Sequence, residues 1–507
     1  MIHSPGFPGT AFNLKSQLPQ PHSMQNDSRK TCEVCVIGSG PGGAITAALL
    51  AEAGMAVILL EEGPFLSQET CAPFSVQEMT MKYRNGGITP AFGKPKVTYV
   101  EGCCVGGGSE INSGLYHRTP PAVLESWQKE FALKEASVQA MEPYFARCEA
   151  ELSVSTMPYS APAPSLKLHQ GATALGWKSM EIPRWYKYEI DSSQASGYLP
   201  VRQSMTRTFI PRFLAAGGTI IADTKAHRLL RGSNATWEVN ALQKKSQEPI
   251  NISAEHVFIC AGAIQTPLLL LRSHLGSNVG RSLQLHPTIK ITAEFPEVIN
   301  TKDLGVPVHQ VKEFSPRLSF GCSISSPPYL ALGLLESERA EYAAVASQRM
   351  ANYYAMITSS ARGRISSLPG YDDPLVRYNL QENDFRVFKE GFTKLSQILF
   401  ESGAVRLFPA VQGVAPVSSP DELPRLLASV VPSKTNVMTI HLFSACPMGE
   451  DKSKCALNSF GQLHDLKNLY VNDSSMLCSA PGVNPQGSVM AFARRNVLHF
   501  LESRRKA

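Results

Sequence analysis

The chain is 507 residues long, 43% hydrophobic and 18% charged, a balance that excludes disordered and fibrous classes and implies a large buried core. That length exceeds what one ordinary core supports, so two or more domains, or one large domain with an insert, are expected. A net charge of +6 is small for the length, and no dense Lys/Arg block with interleaved aromatics occurs, which argues against a nucleic-acid partner.

Residues 1–30 are rich in Pro, Ser, Gln and Asn and lack the charged start and unbroken apolar stretch of a signal peptide. They read as a flexible tail on a cytoplasmic protein, with peripheral membrane association left open. The apolar run from His256 to Leu271 is interrupted by Gln265, Thr266 and Pro267, short of the ~20 residues a membrane span needs, so no transmembrane segment is expected. Of 11 cysteines, Cys32, Cys35 and Cys260 fall in predicted strands and read as reduced core thiols. Cys32 and Cys35 have C-x-x-C spacing, but Val34, Val36 and Ile37 place them in a strand without a second Cys/His pair, so no metal site is predicted.

From Glu33 the chain reads Val34, Cys35, Val36, Ile37, then Gly38-Ser39-Gly40-Pro41-Gly42-Gly43, then a helical stretch from Ala44 to Ala53. In this strand, turn and helix, Gly38 permits a tight turn, Gly40 lets backbone approach a pyrophosphate, and Gly43 lets helix and strand pack closely. The helix N-terminus adds unpaired N–H groups and the positive end of a dipole. A second apolar strand, Ala56 to Leu60, ends in Glu61, at roughly the ~20-residue offset where an acid takes ribose hydroxyls. This order of elements predicts dinucleotide binding, although G-x-G-x-x-G also occurs in ordinary turns and Glu61 can be read as an exposed acid. The motif does not separate FAD from NAD.

Three further segments bear on that choice: Gly102-Cys103-Cys104-Val105-Gly106-Gly107-Gly108-Ser109-Glu110-Ile111-Asn112; Gly262-Ala263-Ile264-Gln265-Thr266-Pro267 with Leu268 to Leu271; and His441-Leu442-Phe443-Ser444-Ala445-Cys446-Pro447-Met448-Gly449. The last continues through Asn468-Leu469-Tyr470-Val471-Asn472-Asp473 to Gly482-Val483-Asn484-Pro485 and a final helix. Together they resemble the glucose-methanol-choline (GMC) family of FAD oxidoreductases over nearly the whole chain after residue 30. His274 stands where the family usually has Gly, Thr119 where it prefers a small residue or Pro, and Cys478 where Pro is common. The Gly106 to Asn112 loop, the stretch Asp373 to Phe388 and the His441 motif look most like long-chain alcohol oxidases, with cholesterol oxidases and polyol dehydrogenases further away.

The resemblance implies an α/β protein whose Rossmann-type FAD-binding domain is assembled from residues 31–118, 205–290 and 436–507. A substrate domain, an antiparallel sheet with helices, would take residues 119–204 and 291–435. Apolar spacing predicts helices within Pro121 to Ser153 and over Asp384 to Gly403, followed by a short apolar stretch from Val405 to Phe408.

Oxidation of an alcohol by a flavin removes a hydroxyl proton and a carbon-bound hydride, so a base must sit beside the hydride acceptor. The resemblance assigns the base to His441 and, to Asn484, the holding of the substrate oxygen. Asn484, followed by Pro485 and the apolar run Val489, Phe492, Ala493, Val497 and Leu501, also reads as a helix N-cap with Pro at the first position. For FAD the resemblance carries over Gly38, Gly40, Gly43, Glu61, Gly106, Gly107, Asn112, Ala226, Asp473 and Pro485, with Ala226 meeting adenine through backbone atoms of the β-like stretch Thr219 to Leu229. Ile111 occupies the position of the linking histidine in members with histidyl-linked flavin, so noncovalent FAD is expected. His286 reads as structural and Glu110 as an exposed loop acid.

The expected function is oxidation of a small-molecule alcohol, with an apolar substrate first and a sugar or polyol second. Members of this fold that act as hydroxynitrile lyases or light-driven fatty-acid decarboxylases are the alternative from a different class. Oxygen, a quinone or a cytochrome would accept the electrons.

Overall fold

In the computed structural model, the structure describes residues 29–67, 69–232, 235–301, 307–337 and 339–506. Most of the tail assigned to residues 1–30 lies outside them; Arg29 and Lys30 open the first strand.

The first strand, Arg29–Ile37, is buried from Val34 onward on both faces, which suits a strand flanked by parallel neighbours. It pairs in parallel with Val57–Leu60 on one side and Pro249–Ile259 on the other. Thr219–Ile221 and Leu469–Val471 extend the parallel array outward. Thr224–Arg231 and Trp237–Gln243 add an antiparallel ribbon against the first half of Pro249–Ile259, giving seven strands. The helix Pro41–Glu52 starts at the carboxyl end of the first strand and packs against the C-terminal helix Gln486–Lys506. Asn472 ties these layers together: its Nδ2 donates to Thr46 Oγ1 at 2.8 Å and to the Ala493 carbonyl at 3.1 Å.

The second sheet has nine strands, antiparallel except where Val97–Tyr99 and Val437–Thr439 run in parallel. Its centre is Thr288–Glu294 paired with Met350–Ile357, which continues through Leu318–Cys322 to His309–Val311. Helix Glu382–Glu401 covers one face with Val387, Phe388, Phe392, Leu395 and Leu399, an apolar stripe at helical spacing. A reciprocal capping box between Gln381 and Asp384 fixes where it starts. Helix Ala163–Ala174 crosses it at Gly171, where a Cβ would stand 2.0 Å from the Ile398 carbonyl oxygen; only glycine permits that approach.

The strands Val97–Tyr99, Thr288–Glu294 and Val437–Thr439 carry the chain from one sheet to the other, so loops from both meet at one seam. His274 takes φ 55°, the left-handed conformation that explains why a family member would carry glycine there. No helix among the described residues is long and apolar enough to cross a membrane, and no group of three or more His, Cys, Asp or Glu among them could hold a metal ion.

Candidate active site

One continuous cavity runs along the seam, from the glycine turn at residues 38–42 past Asn112 to His441 and Asn484. The glycines of the turn divide by what surrounds them. A Cβ on Gly38 (φ +98°) would stand 2.4 Å from the Cys260 carbonyl oxygen, and one on Gly43 would stand 1.8 Å from that of Gly38. These two keep strand and helix in contact. Gly42 has the same relation to Asn472, whose carbonyl oxygen would lie 1.9 Å away. A Cβ on Gly40 would meet nothing within 4 Å, because its open side is the cavity.

The second glycine loop closes on the first. Gly106 has φ +95° and donates its N–H to Ser39 Oγ at 3.0 Å, and a Cβ on Gly107 would lie 2.8 Å from the Gly40 Cα. Glu61 lines the cavity, yet its carboxylate already accepts from Ser39 N (3.0 Å), Ser39 Oγ (2.6 Å) and Gly63 N (2.8 Å). Burial raises its pKa and these donors oppose the rise. Glu62, which sequence reading passed over, also lines the cavity and is held by Arg84 through two hydrogen bonds at 3.0 and 2.7 Å. Little in the sequence distinguishes it from Glu61, since the two adjacent acids stand at offsets one residue apart from the glycines.

Asp473 is buried where Leu469–Val471 ends. It accepts from Gly262 N (2.8 Å), Thr266 Oγ1 (2.5 Å), Ser475 N (2.8 Å) and Ser475 Oγ (2.5 Å), which joins the second and third signature segments. Asn112 donates to the Gln486 carboxamide at the start of the C-terminal helix and accepts from Gly114 N at 2.9 Å. Ala226 and Pro485 line the cavity, as does Ile111.

At the far end, residues remote in sequence converge. His441 is 8% exposed, with its Nε2 3.3 Å from Asn484 Nδ2 and its Nδ1 3.1 Å from the Nδ1 of His286. Thr439 and His441 exchange hydrogen bonds of 2.9 and 3.1 Å across a tight turn, which aims the ring. Burial first, and the charge of Lys312 second, push His441 down to about 3, so its imidazole is neutral at ordinary pH. His286 is fully buried and also held neutral by burial. Its Nε2 accepts the Gly482 N–H at 3.0 Å.

This network contains one donor too many. With the shared proton on His286 Nδ1, the Gly482 bond is satisfied and His441 carries its own proton on Nε2. With it on His441 Nδ1, Nε2 is an unprotonated acceptor facing Asn484 Nδ2 and the cavity, and His286 must turn an N–H toward Gly482. The pair therefore trades one backbone hydrogen bond against basicity at the atom facing the cavity.

Two sequence readings need correction. Glu110 is not exposed: at 3% exposure it accepts from Thr206 N at 3.2 Å and Thr206 Oγ1 at 2.9 Å, anchoring the second glycine loop. Asn484 does not cap the final helix. That helix begins at Gln486, Pro485 takes the flanking position, and the Asn484 carboxamide oxygen accepts from Gln310 Nε2 at 3.2 Å instead. His286, read as structural, contacts His441 directly and so positions its ring. Gln310, Tyr354 and Lys290 were missed because they come from strands that carry no motif.

A glycine-lined cradle at one end of a cavity and a neutral histidine beside an asparagine at the other fit a dinucleotide-dependent α/β oxidoreductase. Comparison with known proteins agrees. GMC oxidoreductase family models match residues 79–288 and 359–493. The chain is 35% identical over 480 residues to the uncharacterized GMC-type oxidoreductase y4nJ of Sinorhizobium fredii, covering 93% of this chain and 95% of that one. Against the long-chain-alcohol oxidase FAO3 of Arabidopsis thaliana it is 25% identical, over 92% of this chain and 67% of that one. Among solved structures, pyridoxine 4-oxidase from Mesorbium loti aligns with TM-score 0.70 at 15% identity, over 93% of this chain and 99% of that one. An Aspergillus oryzae formate oxidase aligns with TM-score 0.72 at 14% identity, over 94% of this chain and 99% of that one. The chain belongs to the GMC oxidoreductase family and is an FAD-dependent oxidoreductase.

Proposed function

We propose that this enzyme oxidises an alcohol whose body is largely apolar, with His441 as proton acceptor and Asn484 as the group that orients the substrate oxygen. The convergence of His441 Nε2 and Asn484 Nδ2 at 3.3 Å on the wall of the cavity carries this reading.

The cradle fits FAD, because Gly40 leaves open space where a phosphate would approach the helix N-terminus. Gly38, Gly40 and Gly107 would line the pyrophosphate region, with Gly43 and Gly106 shaping the turn and loop behind it, Glu61 would take the ribose and Ala226 the adenine, with Asn112, Asp473 and Pro485 along the flavin side. The bound flavin supplies the hydride acceptor. Ile111 has no nucleophilic side chain, so FAD is held noncovalently in this reading; acid precipitation that left the yellow chromophore on the polypeptide would contradict it.

A neutral imidazole accepts the hydroxyl proton as the carbon–hydrogen bond breaks, and Asn484 fixes which hydrogen faces the acceptor. The cavity wall around them, with Leu115, Trp185, Ile324, Met356 and Met438, favours a hydrocarbon body over a polyol. In this reading the FAD domain takes residues 31–118, 205–290 and 436–507 and the substrate domain residues 119–204 and 291–435, with Val97–Tyr99, Val437–Thr439 and the start of Thr288–Glu294 lent by the former to the second sheet.

Anaerobic mixing with aliphatic, aromatic, sterol and sugar alcohols tests the reading. Bleaching of the flavin by an apolar alcohol, slowed in His441→Ala and Asn484→Ala proteins that keep their flavin, is the expected result. Cyanide release or light-dependent alkane formation without bleaching would favour the lyase or decarboxylase alternative.

A further inference from the structure

The second sheet lines part of the cavity and presents an unusual residue to it. Lys290 lies on the central strand Thr288–Glu294, directly across from Tyr354 on the neighbouring strand, and both line the cavity. On that face Met356 and Met438 flank the pair, and Thr288 beside them spends its hydroxyl hydrogen on the His286 carbonyl at 2.9 Å. Among the described residues Lys290 has no ion-pair or hydrogen-bond partner for its amine. Burial alone acts on this amine and brings it down to about 8, so no neighbouring charge has been built to satisfy it.

Tyr354 complements it. Its hydroxyl oxygen accepts from Gln310 Nε2 at 2.8 Å, which leaves the hydroxyl hydrogen free to donate into the cavity. Gln310 also donates to Asn484 at 3.2 Å, so one side chain separates this corner from the proposed catalytic pair. Farther along, Lys312 is a second buried amine without a hydrogen-bond partner. Lys290 and Tyr354 thus set a cationic donor and a hydroxyl donor on one wall of the cavity, and the unpartnered protein acceptor beside Tyr354, Gln310 Oε1, carries no charge, so the counter-charge is left to the ligand. An unpaired buried ammonium is costly enough that its counter-charge has to come from somewhere.

We propose that Lys290 and Tyr354 bind a carboxylate on the substrate, so that the alcohol oxidised is a hydroxy acid with an apolar body. This deepens the alcohol-oxidation reading and rests on it. The carboxylate is a handle and is chemically unchanged: the carbinol carbon loses its hydride to the flavin and its hydroxyl proton to His441. Because Gln310 alone bridges Tyr354 to Asn484, the carboxylate and hydroxyl stand a limited number of carbons apart.

The test uses the FAD-loaded full chain and separates binding from turnover. Hexanoate and methyl hexanoate are titrated while flavin absorbance and binding heat are followed. The native protein is expected to bind hexanoate about ten-fold or more tightly than the ester, the range of a charge-assisted hydrogen bond. Lys290→Met is expected to bring that ratio to about one, Lys290→Arg to retain much of it, and Tyr354→Phe to reduce it. Equal affinity for acid and ester in the native protein overturns the proposal without recourse to any variant. So does a preference that survives in Lys290→Met, or a variant whose only change is in the flavin potential. Anaerobic reduction by ω-hydroxy acids from hydroxybutyrate to hydroxydecanoate, each against its methyl ester, then addresses the reaction. A Lys290-dependent preference for hexanoate with no flavin reduction by any alcohol, acid or neutral, would leave the anion site standing and remove the alcohol-oxidation reading.

Discussion

Gly40→Ala and Gly43→Ala replace glycines three residues apart in one turn, yet the structure assigns them opposite consequences. At Gly40 the backbone sits at φ −62°, ψ −176°, a conformation alanine adopts freely, and the added methyl meets no protein atom within 4 Å. The folded protein should tolerate it, with a stability change within about 0.5 kcal/mol. The methyl projects into the proposed pyrophosphate space, where overpacking of about 1–3 kcal/mol corresponds to roughly 5- to 150-fold weaker FAD binding. At Gly43 the methyl would lie 1.8 Å from the Gly38 carbonyl oxygen and 3.0 Å from the Cys260 Cβ, so the helix must move off the first strand. That cost, at or above the upper end of the same ~3 kcal/mol range, falls on the fold itself. Urea denaturation of each variant without added FAD, beside fluorescence titration with FAD, separates the two effects. A Gly40→Ala protein that binds FAD like the native chain but unfolds more readily would refute this division of labour.

Removal of the His286 side chain by His286→Ala leaves His441 Nδ1 unpartnered; loss of that hydrogen bond, about 1–3 kcal/mol, predicts flavin reduction slowed roughly 5- to 150-fold with flavin content unchanged, measured by anaerobic stopped flow. The depression of His441 to about 3 means that its base form persists on acidification, so the reduction rate constant should stay flat from about pH 8 to 5; a fall centred near the ordinary histidine value of about 6.5 would contradict the burial assigned to it. Away from the site, His256 packs edge-on to Phe500 and is lowered to about 4 by burial and then by Arg504. The unfolded chain therefore takes up this proton first as pH falls below about 6.5, and His256→Phe should gain stability relative to the native protein by up to about 1.4 kcal/mol per pH unit down to about pH 4. Chemical denaturation at stepped pH checks it, and a gap that narrows on acidification would reverse the sign.

The nucleotide cradle was legible because its requirements are local. Gly38, Gly40 and Gly43 answer to a turn, an open approach and a helix contact within one short segment, and the flanking apolar runs identify strand and helix. Helices over 121–153 and near 384–403 were legible for the same reason, through apolar spacing that the structure places at Pro121–Phe131, Val138–Glu151 and Glu382–Glu401. Long-range geometry left weaker traces. Glu110 looks like any loop acid until Thr206, almost a hundred residues later, is brought to it. Asn484 before Pro485 satisfies every local rule for a helix cap, but the competing acceptor site on it is filled by Gln310 from the other sheet. Lys290 and Tyr354 sit on strands whose alternation signals only burial, and nothing in either strand announces that the two side chains share a cavity wall.

Proton abstraction by His441 requires its ring to lie against the flavin of bound FAD. A crystal structure of the FAD-loaded protein with an unreactive substrate analogue measures this. The account predicts the imidazole Nε2 and the Asn484 carboxamide both within hydrogen-bond reach of the analogue's oxygen, over the reactive edge of the flavin. An imidazole turned away from the ring system, or FAD lodged elsewhere than against Gly40 and Gly107, would contradict it.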